Sequence, residues 1–263
     1  MELGLKGRVA IVTGASKGIG FAASKALAQE GADLVICSRD ESNLKKASEE
    51  ISTATKSRVF TLAGDVTAPD LADELAKMAM DQFNRIDIVI NNSGGPPPKS
   101  LTETDMKDWE YALNLNFLSS VRLTKAVLPI MKEASWGRII TIGSTLMKEP
   151  DPGMILSASA RAAMTAFMKS LSFEVAKEGI TINTIATGGV ETERLQSLIK
   201  NAAESTGEPF EKVLAESAES IPIGRFAKPD EFVKAIVFLA SEAGSYITGE
   251  CLAIDGGLMK SAF

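Results

Sequence analysis

Short apolar runs alternate along the chain with longer stretches whose apolar residues recur every three or four positions. Residues 8–13 (RVAIVT), 33–37, 58–63, 86–91 (IDIVIN), 138–143 (RIITIG), 181–186 and 251–255 read as buried strands. Helical periodicity covers 22–30, 44–52, 68–83, 106–131 and 157–178. Strands of this length separated by helices need crossover connections, and crossovers produce a parallel sheet covered on both faces. The pattern predicts a doubly wound, Rossmann-type α/β fold with a seven-stranded parallel sheet, formed as one domain over residues 1–263.

No internal repeat or linker breaks this alternation. Two loops follow strands directly, GGPPPKS at 94–100 and EPDPG at 149–153. Both are expected at the carboxyl edge of the sheet, where ligands bind in this architecture. The polar helical stretch 193–220, between the sixth and seventh strands, is expected to form a small cap over that edge.

Composition narrows the chemistry. The chain has 263 residues, 45% of them hydrophobic, enough for one sizeable core. A net charge of -6 argues against nucleic-acid binding. No stretch reaches the ~20 apolar residues that span a bilayer, so no membrane contact is expected. Nothing at the N-terminus resembles a signal peptide, and the expected location is the cytoplasm. Cys37 and Cys251 are far apart without ligand-like spacing and read as packed thiols, so no metal site is expected. There is no histidine. That excludes a Ser-His-Asp triad and a histidine general base, leaving proton chemistry to carboxylates, hydroxyls, lysines or the substrate.

The strongest motif follows the first strand. Gly14, Ser16, Lys17, Gly18, Ile19 and Gly20 lie in a glycine-rich turn that opens a helix. The glycines allow close backbone approach to a pyrophosphate, and the helix start supplies free N–H groups and partial positive charge. At the end of the second strand, Ser38 and Arg39 with Lys17 nearby favour the 2′-phosphate of NADP(H). If Arg39 is only solvated and Asp40 only a helix cap, NAD(H) stays open.

These motifs together resemble the short-chain dehydrogenase/reductase family over essentially the whole chain, nearest to the β-ketoacyl-carrier-protein reductases. The resemblance implies that Asp65 and Val66 flank the adenine. It implies that Asn92, Ser93 and Gly94 support the cofactor ribose. It places the carboxamide of the nicotinamide on the loop containing Gly188 and Val190, with Thr192 touching the phosphates. Thr187 stands where the family has proline. A homo-oligomer, dimer or tetramer, is also implied, with contacts through 106–131, 157–178 and 247–257.

The same resemblance places catalysis on Asn116, Ser144, and a Tyr-x-x-x-Lys pair that this chain writes as Ser157 and Arg161. A spacing of four puts both on one helix face. A phenol starts at pKa ~10 and a nearby cation lowers it. An aliphatic hydroxyl is a far weaker acid, and arginine keeps its proton. Two expectations follow. One is an atypical NADP(H)-dependent oxidoreductase acting on a carbonyl or alcohol of a small-molecule substrate, with its proton taken from solvent or from Lys148, Glu149 or Asp151. The other is a non-catalytic dinucleotide-binding pseudo-reductase that senses or scaffolds. Lyase-type chemistry, as in the halohydrin dehalogenases, ranks third. Those enzymes keep the tyrosine and lose the glycine loop, the reverse of this chain. Tyr111 and Tyr246 are expected to be structural. Met147, Met154, Ile155 and Leu156 line an apolar pocket or pack internally.

Overall fold

The computed structural model describes residues 2–261. Seven strands, β1 (Val9–Thr13), β2 (Asp33–Ser38), β3 (Val59–Ala63), β4 (Ile88–Asn91), β5 (Gly137–Ile142), β6 (Ile180–Thr187) and β7 (Cys251–Ile254), form one parallel sheet. Their order is β3-β2-β1-β4-β5-β6-β7. The direction of winding reverses between β1 and β4, so the crevice at their carboxyl ends is the switch point where ligands bind.

Strand alternation divides the core. Ala10, Val12, Leu34, Ile36, Ile88 and Ile90 point to one face, where they meet Leu27 of α1 (Gly18–Gln29), Leu44 of α2 (Glu41–Ala54) and Phe232 and Ile236 further along the chain. Val9, Ile11, Val35 and Val89 point to the other face. There they meet Leu75 of α3 (Leu71–Phe83), Leu123 and Val127 beyond α4 (Met106–Leu113), and Met164 and Met168 beyond that. Every β1 residue is buried, which explains why the strand reads as an unbroken apolar run.

Three helical stretches differ from their sequence reading. The stretch 106–131 is not one regular helix. It is α4, a π turn at Asn114–Leu118, then α5 (Ser119–Glu133). The wide turn inserts one extra residue and leaves Asn116 buried. The stretch expected from residue 68 starts only at Leu71. Pro69 cannot donate, and the Asp65 carboxylate instead accepts from the Thr67 N–H at 2.9 Å and its hydroxyl at 2.8 Å, holding a local turn. The long helix expected over 157–178 is α6 (Ile155–Val175), closed by a 3₁₀ turn at Ala176–Glu178.

Residues 193–220 form α7 (Glu193–Thr206) and α8 (Phe210–Glu219). Ile199, Ile221 and Phe226 form a separate small core with Leu195, Phe210 and Leu214. A further helix, α9 (Pro229–Ala240), packs on α1 through Phe232, Val233 and Ile236. The helices named from periodicity omit it, although Pro229 in its first turn and Glu231, which accepts from the Lys228 N–H at 2.8 Å, mark its start. No helix among the described residues is long and apolar enough to cross a membrane.

Candidate active site

The glycine turn sits where β1 ends. Gly14 and Gly18 have φ of 59° and 58°, a region that favours glycine. A Cβ on Gly14 would stand 2.6 Å from Asn92 Nδ2, and one on Gly20 would collide with the Gly14 carbonyl. Asn92 braces this turn from β4. Its Nδ2 donates to the carbonyls of Thr13 at 3.2 Å and Gly14 at 3.1 Å, and its backbone N–H donates to Thr13 Oγ1 at 2.9 Å. The first turn of α1 has no side-chain cap and no acidic residue, and Ser16 and Ile19 are half-buried beside it. Its N–H groups therefore face the crevice unclaimed, and the cradle fits a dinucleotide pyrophosphate.

At the end of β2, Ser38 is buried and Arg39 is exposed, its guanidinium 4.0 Å from Asp65. Asp40 caps α2, accepting from the Asn43 N–H at 2.8 Å. Asp40 thus has the capping role weighed against an NADP(H) site, while Arg39 projects free of the helix. Lys17 departs from expectation. It forms an ion pair with Glu193 at the start of α7, so it joins the glycine turn to that helix rather than standing as a second free cation beside Arg39. Val66 and Asn92 help line a small cavity of about 20 Å³ below this edge, together with Thr13, Leu71 and Leu123.

At the other end of the crevice, Ser93, Gly94, Asn116, Ser157 and Arg161, all named from sequence, are joined by hydrogen bonds. Asn116 donates from Nδ2 to Ser93 Oγ at 2.8 Å and to the Gly94 carbonyl at 2.7 Å. Its Oδ1 is buried and has no partner, leaving an acceptor for a ligand hydroxyl or water. Arg161 is buried in α6 and reaches three groups. Its Nε donates to Ser157 Oγ at 3.3 Å, Nη1 to the Ile142 carbonyl at 2.9 Å and Nη2 to the Gly94 carbonyl at 3.3 Å. Burial, and secondarily the charge of Arg194, brings the Arg161 pKa down to about 10. The guanidinium still carries its charge at neutral pH.

Ser144 follows β5 and is half-buried, its Oγ accepting from the Leu146 N–H at 3.3 Å. The loop acids expected to supply a proton are engaged elsewhere. Glu149 accepts from the N–H groups of Lys260 and Ser261, each at 2.7 Å, and the Ser261 bond leads in holding its carboxyl below the usual range. Asp151 accepts from the Gly153 N–H at 2.9 Å within its own turn. Lys148 is exposed. Tyr111 and Tyr246 are both exposed, and among the described residues neither donates to Ser144 or Ser157. Leu156 is buried against Trp109, Ala112 and Ala160, and Met147 packs beneath β5 and accepts from Thr165 Oγ1. The apolar residues of this loop are therefore largely internal packing.

The loop after β6 closes the crevice. Gly188 lies against Asp255, where a Cβ would come within 2.6 Å of its Cα. Val190 is buried and bridges to Ala227, while Thr192 caps α7 by accepting from the Leu195 N–H at 3.3 Å. The Thr187 hydroxyl is buried without a partner. One residue here has no counterpart among the sequence candidates. Arg194 reaches back from α7 and donates from Nη2 to the Pro96 carbonyl at 3.0 Å. Its position two residues after Thr192 was the available signal.

This combination of switch-point crevice, glycine cradle and serine-bearing α6 defines a dinucleotide-dependent α/β protein. Residues 14–259 match the Enoyl-(Acyl carrier protein) reductase family, and the chain belongs to the short-chain dehydrogenases/reductases. It is 35% identical over 256 residues to the 3-oxoacyl-[acyl-carrier-protein] reductase FabG of Vibrio cholerae, covering 97% of this chain and 99% of the relative. Two solved structures share the whole fold. YwfH, described as an NADPH-dependent reductase involved in bacilysin biosynthesis, superposes with a TM-score of 0.92 at 32% identity, covering 97% of this chain and 99% of that one. L-sorbose reductase from Gluconobacter frateurii, solved with NADPH and L-sorbose, gives 0.94 at 31% identity, covering 99% and 100%.

Proposed function

We propose that this protein is an NADP(H)-dependent oxidoreductase that interconverts a carbonyl and an alcohol on a small molecule, with a serine–arginine pair in place of a phenolic acid. NADP(H) is supported by the glycine cradle, by Arg39 and by the NADPH-dependent relatives. When bound, this cofactor supplies the hydride and is itself oxidised.

The observation that carries the reading is the bond from Arg161 Nε to Ser157 Oγ. It satisfies the serine oxygen as an acceptor and leaves its hydrogen free to donate. As a carbon–hydrogen bond forms at the substrate carbonyl, the π pair moves onto oxygen. Ser144 and Ser157 donate to that oxygen, and the Arg161 charge behind Ser157 strengthens the field it feels. A water molecule then supplies the proton that completes the alcohol. The same two hydroxyls serve the reverse reaction by holding the alkoxide. Asn116 and Arg161 both fix the Gly94 carbonyl, which keeps the floor of the site rigid.

The protein acts as a homo-oligomer. Leu113 and Leu118 around the π turn, Phe173 on α6 and Leu252 on β7 are apolar and exposed on the segments that carry subunit contacts in this family. The two free cysteines suit a reducing cytoplasm.

The test is NADPH titration alongside turnover on a panel of ketones and aldehydes. Binding with measurable oxidation of NADPH by at least one carbonyl is expected. Binding with no turnover on any of them contradicts the enzyme reading and favours a cofactor sensor, a reading supported by the lack, among the described residues, of a free acid beside Ser157.

A further inference from the structure

Nine arginines occur in the chain. Six pair with carboxylates: Arg8, Arg39, Arg58, Arg85, Arg138 and Arg225. Among the described residues, Arg122, Arg161 and Arg194 do not. Two of these three converge on one loop. Arg161 donates to the Gly94 carbonyl and Arg194 to the Pro96 carbonyl, two residues apart. Gly95 makes this possible, because a Cβ there would already stand 3.0 Å from Arg194 Nη2. Gly94 is exposed, and a Cβ on it would meet nothing within 4 Å, so the loop that both guanidiniums hold is open to solvent at this residue.

A buried cation held only by neutral acceptors is a costly arrangement, and a second cation beside it makes it costlier. Burial lowers both pKa values, the Arg194 charge lowers that of Arg161 further, and no carboxylate opposes either effect. Each guanidinium has five N–H donors. Arg161 uses three on protein groups and Arg194 one, which leaves donors on both for a ligand. A fork of this kind suits a carboxylate.

Resting on the reductase reading, we propose that the substrate is an oxo acid, its carboxylate held between Arg161 and Arg194 over the 94–96 loop while its carbonyl faces Ser144 and Ser157. The carboxylate takes no part in bond making, so the redox balance stated above is unchanged. Arg194 is then a specificity residue and Arg161 serves both the carboxylate and Ser157.

The test compares matched pairs, pyruvate with methyl pyruvate and acetoacetate with methyl acetoacetate, on wild type and Arg194→Gln. The wild type is expected to favour at least one acid over its ester by about tenfold or more in kcat/KM, and the variant to lose that preference. Equal or better use of the esters overturns the proposal while leaving the reductase reading intact. So does a variant that loses NADPH affinity with an unchanged acid-to-ester ratio, because Arg194 then serves the cofactor. If neither member of any pair turns over, the wider carbonyl panel decides the reductase reading separately. Calorimetric titration of butanoate into the NADP⁺ complex then decides the anion site: Arg194-dependent binding upholds it and no binding overturns it.

Discussion

Arg161 Nε lies 3.3 Å from Ser157 Oγ, one helical turn away on the buried face of α6. The contact leaves the serine hydrogen free to donate and backs it with a charge that keeps its proton at neutral pH. Removing the hydroxyl with Ser157→Ala is expected to lower kcat by ~10²-fold, the usual effect of losing one oxyanion donor. Steady-state kinetics check it. An unchanged kcat means that Ser157 is only packing.

The pH profile follows from the same pair. No group at Ser157 titrates near neutrality, so kcat is expected to be flat there. Arg161 loses its proton as pH rises through about 10, below the usual guanidinium range, and with it the charge behind Ser157. The rate should fall on the alkaline side at that point. The sign for stability is opposite. The folded state binds this proton more weakly than the unfolded chain, so burying the charged form opposes folding below pH 10. That penalty is relieved as pH rises from about 10 toward the ordinary guanidinium range. A break in the rate near neutral pH contradicts the assignment.

Restoring a phenol should restore ordinary acid catalysis. The double variant Ser157→Tyr, Arg161→Lys is expected to raise turnover of neutral ketones by ~10²-fold, within the range that general acid catalysis contributes. Lysine also gives up the three-way contact to Ser157, Ile142 and Gly94. If activity fails to rise while NADPH still binds, the pocket differs from that of a ketone reductase by more than its acid.

Cofactor choice rests on Arg39. Replacing it with alanine is expected to weaken NADPH by about tenfold or more and to leave NADH nearly unchanged, since only the former carries a 2′-phosphate. Equal losses for both, measured by fluorescence titration, place Arg39 outside the phosphate contact.

The brace between β1 and β4 is structural. Asn92→Ala removes two donors to the Thr13 and Gly14 carbonyls and is expected to lower stability by ~1–3 kcal/mol, read from denaturant unfolding. Cofactor affinity should fall with it, because the glycine turn loses its support.

Much of this was legible in the chain. The five inner strands read as apolar runs because they are covered on both faces, the edge strands β3 and β7 are partly exposed, and the glycine motif fixed the ligand edge. The π turn was not legible, since periodicity over 106–131 looks continuous and only the packing of Asn116 against Ser93 and Gly94 breaks it. Glu149 looked like a free acid because its partners, the N–H groups of Lys260 and Ser261, lie more than a hundred residues away. Lys17 looked free for the same reason, its partner Glu193 opening α7 176 residues away. Arg194 passed unnoticed because its charge reads as ordinary helix surface until α7 turns it back onto the 94–96 loop.

The most direct measurement follows the hydrogen itself. The protein is mixed with an active carbonyl and NADPH deuterated at the transferable position, and the product is read by mass spectrometry. The account predicts that wild type moves the label onto the former carbonyl carbon and that Ser157→Ala moves it about a hundredfold more slowly. Saturating NADPH binding with no label in any product, or equal transfer rates in the two proteins, contradicts it.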